Sequence, residues 1–123
     1  MKLQTEEKEK KTKYGNKKTK IDGITFDSQK EAERYEELKM MLQQGYISEL
    51  KCQHSFTLQE AFILPVSGEK VQAIKYLADF TYRDREGKFV VEDVKSKATA
   101  RDKVYRLKKK MMAERGYQIR EVM

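Results

Sequence analysis

The chain has 123 residues, enough for one domain around one modest core. Charged residues make up 38%, apolar residues another 38%, and the net charge is +7. One Cys excludes an intramolecular disulfide and one His excludes a His-rich zinc site. No apolar run reaches the roughly 18 residues of a membrane span, no GxxxxGK(S/T) or GxGxxG loop offers a nucleotide cradle, and no signal peptide is seen, so the expectation is a cytoplasmic protein without a membrane partner.

The charge is unevenly placed. Residues 1–20 carry a net +5, residues 21–94 a net −5 and residues 95–115 a net +7. Two basic blocks flanking an acidic middle suit a polyanion held beside a metal site, with sequence-independent affinity for phosphates. Ordinary solubilising charge is the alternative reading of the same layout.

Residues 1–20 have no hydrophobic period and read as a disordered basic arm, leaving residues 21–123 as the folded domain. Ile21–Phe26 reads as a short hairpin with Asp22-Gly23 at its turn. Ser28 and Glu31 then form a capping box that opens a helix running to about Gln44, where Gly45 stops it. Ala32, Tyr35, Leu38, Met41 and Leu42 form its apolar stripe, and Glu31 falls in line with Tyr35, Leu38 and Leu42. Glu31 is therefore the helix's one acid aimed inward, either as a cap or as a ligand.

Tyr46–Leu58 is extended, and Glu60–Lys70 reads as a loop around Pro65. Next comes the segment that matters most. Lys75–Tyr82 and Phe89–Lys95 read as two strands joined by the polar turn Arg83–Lys88. Alternation puts Ile74, Tyr76, Ala78, Phe80 and Tyr82 on one face of the first strand and Leu77, Asp79 and Thr81 on the other. It puts Val91, Asp93 and Lys95 on one face of the second, away from Glu92. Acids in such apolar strands need partners, and a hard divalent cation, held by carboxylate oxygens, would neutralise both.

A second capping box, Thr99 to Asp102, opens a helix from about Ala100 to Arg115. Val104, Leu107 and Met111 read as its inward stripe, with Tyr105 and Met112 beside them. Lys97, Arg101, Lys103, Arg106, Lys108, Lys109 and Lys110 make a basic flank suited to phosphates, or to plain solvation. Tyr117–Val122 reads as a final edge strand. The order gives an α/β fold, a mixed central β-sheet flanked by helices.

Asp79, followed on the next strand by Asp93-Val94-Lys95, resembles the PD-(D/E)xK nuclease superfamily, with Ala78 in place of the Pro. The wider pattern, from Phe26-Asp27-Ser28 through Gln53, Phe56 and Leu58 to Ala78-Asp79-Phe80, is similar to small phage and prophage nucleases. These are related to the end-cleaving subunit of heteromeric bacterial transposases and to phage junction-resolving nucleases. The chain departs in reading His54 after Gln53.

The resemblance implies a restriction-endonuclease-like core and a phage- or prophage-encoded, metal-dependent DNA endonuclease giving 5′-phosphate ends, with branched, Holliday-junction-like DNA as one substrate. It implies Mg²⁺ or Mn²⁺ held by Asp79, Asp93, Glu31 and the carbonyl of Val94. Lys95 would orient or deprotonate the attacking water, or stabilise the transition state. Gln53 and His54 are secondary candidates for the site, His54 because imidazole titrates near neutrality. Paired nicks on a junction argue for a homodimer, and a phage or recombination protein is a further candidate partner. The alternative is a nucleic-acid-binding module that keeps the fold without catalysis.

Overall fold

The computed structural model of the chain describes residues 17–123. Residues 1–16 of the expected basic arm lie outside the described residues, while Thr19 and Lys20 belong to a strand. The chain divides into two compact units, one ending at Tyr46 and one spanning Ile47–Met123. No helix among the described residues is long and apolar enough to cross a membrane.

In the first unit, β1 (Thr19–Ile21) and β2 (Ile24–Phe26) form an antiparallel hairpin with Ile21 opposite Ile24. A two-residue loop of this kind needs positive φ at both centres, and Asp22 (53°) and Gly23 (79°) supply it. Helix α1 (Gln29–Gln43) follows, its start fixed by Ser28 Oγ accepting the Glu31 amide at 3.0 Å. At its other end Gly45, at φ 81°, sits past the cap. The amides of Gly45 and Tyr46 donate to Leu42 O and Met41 O, satisfying carbonyls that the helix leaves open. Ala32, Tyr35 and Leu38 are buried as the stripe predicts, as is Glu31, while Leu42 is exposed. The Phe26 and Tyr35 rings lie 5.1 Å apart.

Asp22 ties the hairpin to α1. Its Oδ2 accepts from Lys39 Nζ and from Tyr35 OH, each at 2.7 Å. These two donors, Lys39 first, hold the Asp22 carboxyl below the ordinary aspartate range, and Asp22 in turn raises Lys39. A depressed carboxylate contributes stability that is complete above about pH 4 and lost as pH falls through the lower folded value. The raised ammonium's share is lost only as pH climbs through the folded Lys39 value. An NMR titration should therefore find Asp22 half-protonated below the free-aspartate value, and Asp22→Asn should abolish that acid-limb dependence. Titration at or above the ordinary value would show that the tie contributes nothing.

The second unit is built on a four-stranded mixed sheet, as expected. Its strands are β3 (Ser48–Gln59), β6 (Ile74–Arg83), β7 (Phe89–Val94) and β8 (Ile119–Val122), in that order. β6 is antiparallel to both of its neighbours, β3 and β7, and β8 is parallel to β7. A parallel neighbour needs a crossover, and two helices, α2 (Lys97–Ala100) and α3 (Lys103–Glu114), provide it. The core is Leu58, Tyr76, Ala78, Val91, Tyr105, Met112 and Ile119, so α3 packs on the face of β7 that carries Val91.

Four expectations give way here. The Glu60–Lys70 loop contains strand β4 (Phe62–Ile63), which pairs with β5 (Lys70–Val71). Gln59 opposite Ile74, Phe62 opposite Val71 and Ile63 opposite Lys70 keep one register, so β4 and β5 extend the β3–β6 ribbon.

The single basic helix is two. Ser96 caps α2 through a box with Thr99, and Asp102 caps α3 by accepting the Tyr105 amide at 2.9 Å. The stripe on α3 is also turned. Tyr105 and Met112 are buried, whereas Val104 and Leu107 are 59% and 60% exposed. Polar hooks explain the rotation. Tyr105 OH and Lys109 Nζ both donate to Glu121 Oε2, at 2.7 and 2.9 Å, and Arg115 donates to Leu58 O. Tyr105, Lys109 and Met112 lie at i, i+4 and i+7, one residue along from the predicted stripe, which turns the helix by about 100°.

Strict alternation on β6 fails too. Tyr76 OH donates to Asp93 while Tyr82 OH donates to Glu92, and those neighbouring acids point to opposite faces. Val91 lies opposite Thr81 yet shares a core with Ala78 and Tyr76, so the alternation breaks between Ala78 and Thr81. The break coincides with the end of the β6–β7 ladder at Phe80 opposite Glu92.

Candidate active site

The site grows out of that parting of strands. Beyond Phe80, Asp79 replaces the missing ladder partner, its Oδ2 accepting the Val94 amide at 2.7 Å. Asp93, 3% exposed, accepts the Tyr76 hydroxyl on Oδ2, and Lys95 Nζ sits 3.6 Å from the same oxygen. The other oxygen of Asp93 is bonded by no donor among the described residues. The Lys95 ammonium also lies 3.9 Å from the centroid of the Tyr105 ring, a cation–π contact that fixes its height over the sheet. The β7–β8 pairing runs one residue past Val94, because Lys95 N donates to Val122 O at 2.9 Å.

Both carboxylates act on the same surroundings. Burial first, then the charge and hydrogen bond of Asp93, hold the Tyr76 hydroxyl far above its ordinary value, with a further push from Asp79. Tyr105 is raised by burial, by its bond to Glu121, and by the charges of Glu121, Asp93 and Asp79. Both tyrosines therefore remain donors through the neutral range. Glu121 is held below the usual glutamate range by Lys109 and by Tyr105.

Asp79, Asp93 and Lys95 thus meet in one place. Glu31 is on α1 in the first unit, buried, with its backbone amide on Ser28. Among the described residues no group of three or more His, Cys, Asp or Glu side chains gathers closely enough to hold a metal. Glu92 is fully buried on the opposite face, bonded to Tyr82 and 3.7 Å from Arg120, so it is separate from Asp93 as the alternation requires.

Gln53 is exposed on β3 at φ 55°. His54 is half-buried, its Nδ1 2.8 Å from Thr81 Oγ1 and its ring stacked 4.6 Å from Phe56. Lys97, Arg101, Lys103, Arg106 and Lys110 are exposed, and Lys108 and Lys109 are half-buried, Lys109 engaged with Glu121.

Residues 11–123 match the family described as a protein of unknown function, DUF1064. The chain belongs to that family. No curated protein matches it, and neither does any solved structure.

Three contributors to this site are not apparent from the sequence: Tyr76, Tyr105 and Glu121. Tyr76 shares the face of Asp93 only because the alternation of β6 breaks, and Tyr105 stood beside the predicted stripe rather than in it. Glu121 carries the one signal that was available, an acid placed where a parallel strand brings it next to Asp93, its partner in register.

Proposed function

We propose that this chain is a metal-dependent DNA endonuclease, with Asp79, Asp93 and Lys95 as its working residues. The observation that carries the reading is the hold of Asp79 on the Val94 amide. It brings one carboxylate to the strand that carries the Asp93–Lys95 pair.

The donor set fits a hard cation. Asp79 and Asp93 offer carboxylate oxygens, their two negative charges act on the same two tyrosine hydroxyls, and these two residues would hold a Mg²⁺ or Mn²⁺. Such an ion supplies a water of lowered pKa and neutralises charge developing on the phosphate. Tyr76 fixes the orientation of the Asp93 carboxylate. Tyr105 holds Lys95 in place, where its ammonium can meet a phosphate oxygen or the attacking water. The residues next to Lys95 in the chain, Lys97 and Arg101, are exposed and would take backbone phosphates.

The test is cleavage of labelled duplex, single-stranded and four-way-junction DNA with Mg²⁺ or Mn²⁺, beside EDTA and Asp79→Ala controls. Cutting that needs the metal and disappears in Asp79→Ala is the expected result. Salt-sensitive binding with no cutting on any substrate would replace the enzyme with a nucleic-acid-binding module.

A further inference from the structure

The second unit leaves two apolar features uncovered. The first is the hairpin formed by β4 and β5. It continues the β3–β6 ribbon for about 17 Å, at roughly 3.4 Å per residue over the five steps from Gln59 to Leu64. Two hydrogen bonds close its turn: Leu64 N donates to Glu69 O and Gly68 N to Leu64 O, both at 2.9 Å. Yet Phe62 is 45% exposed, Ile63 60% and Val66 100%. The second is the outward stripe of α3, where Val104 and Leu107 stand clear because the polar hooks to Glu121 and Leu58 turn the other side of the helix inward. Lys103, Arg106, Leu107 and Lys110 line a shallow depression of about 260 Å³.

Single exposed apolar residues are ordinary, but an apolar hairpin tip and an apolar helix stripe on one small unit mark contact surfaces. Their charges complement each other. The hairpin carries Glu60 and Glu69 against Lys70, and the stripe is bordered by Lys103, Arg106 and Lys110. None of Glu60, Glu69, Lys103, Arg106 and Lys110 forms an ion pair with another described residue. The net acidity of the hairpin argues against a nucleic acid as its partner, since phosphates would be repelled.

We infer that the occupant of each surface is a second copy of this chain. The β4–β5 tip of one copy seats on the Val104–Leu107 stripe of the other, and the same contact repeats in return. Made once, this heterologous contact would build open chains; made twice about a two-fold axis, it closes into a dimer. Val66 at the tip, with whichever of Phe62 and Ile63 faces the stripe, supplies the apolar anchor, and the surrounding charges set register. The inference stands apart from the nuclease reading, because its readout is mass.

Equilibrium sedimentation of the full chain over a range of concentrations should show a dimer. Val66→Asp and Leu107→Asp should each raise the dissociation midpoint by about tenfold or more, with circular dichroism unchanged. In a Cys52→Ser background, Val66→Cys protein mixed with Leu107→Cys protein should form a disulfide-linked pair in preference to either homodimer. A chain monomeric at every concentration overturns the inference, and so does a dimer indifferent to both substitutions. A Val66→Asp chain of unchanged mass but weakened DNA affinity overturns it as well, making the hairpin a nucleic-acid arm.

Discussion

Asp93→Asn should lower metal-dependent cleavage by about 10²–10³-fold, the scale of losing one electrostatic element that stabilises the transition state. The substitution is chosen for what it keeps. Asparagine has the same shape and an acceptor for the Tyr76 hydroxyl, so the buried bond survives and the chain stays folded. What it removes is one of two like charges that act on Tyr76 and Tyr105, and the partner of Lys95 at 3.6 Å. Stability should not fall much, because a buried charge is costly to maintain and its loss relieves that cost. Single-turnover cleavage with saturating Mg²⁺, read beside a thermal melt, separates the two effects. Cleavage within tenfold of wild type in a folded Asp93→Asn chain would remove Asp93 from the chemistry.

Glu92→Ala should do the reverse. Glu92 is fully buried, accepts the Tyr82 hydroxyl, and lies 3.7 Å from Arg120, which donates to the same tyrosine oxygen at 3.0 Å. Truncation leaves the buried Tyr82 hydroxyl without its acceptor and a cavity beneath the sheet, a loss of about 3 kcal/mol from the unsatisfied donor and the hole together. For a domain of this size that is a large part of the total. Glu92→Gln keeps an acceptor for Tyr82 and should lose only about 1–2 kcal/mol. Urea denaturation measures both. Because Glu92 points to the face opposite Asp93, Glu92→Gln should cleave DNA much as wild type does below its melting range. A stable Glu92→Gln chain that cannot cut would move the site to the other side of the sheet.

The parts legible in sequence are those decided by neighbours along the chain. Ser28 and Gly45 bound α1 because a cap and a positive φ are local requirements. The β6–β7 hairpin was legible because its turn residues sit between two apolar runs. The shared face of Asp93 and Lys95 followed from a period of two over one short strand. What was not legible depends on where a ladder stops and on what a distant strand offers. Periodicity carried Tyr76 and Tyr82 to one face, because nothing local marks the parting of β6 from β7 at Asp79. It turned Val104 and Leu107 inward, because the competing pull on α3 comes from Glu121 and from the Leu58 carbonyl. Hydrophobic pattern ranks apolar stripes but is blind to a tyrosine whose hydroxyl has an acid waiting for it.

The parallel placement of β8 has a consequence for the order in which the pocket can be assembled. Lys95 finds its backbone acceptor in Val122, and the ring over its ammonium is held by Glu121. Both lie on the far side of the crossover, so a chain emerging from the ribosome makes Asp79, Asp93 and Lys95 long before it makes what positions them. The hairpin carrying the charged residues can form early. The groups that bring Lys95 and Tyr105 to their working positions arrive only after α3 has been built and crossed back. A chain in which α3 and β8 have not yet formed therefore carries Asp93 and Lys95 without the groups that position Lys95 and Tyr105.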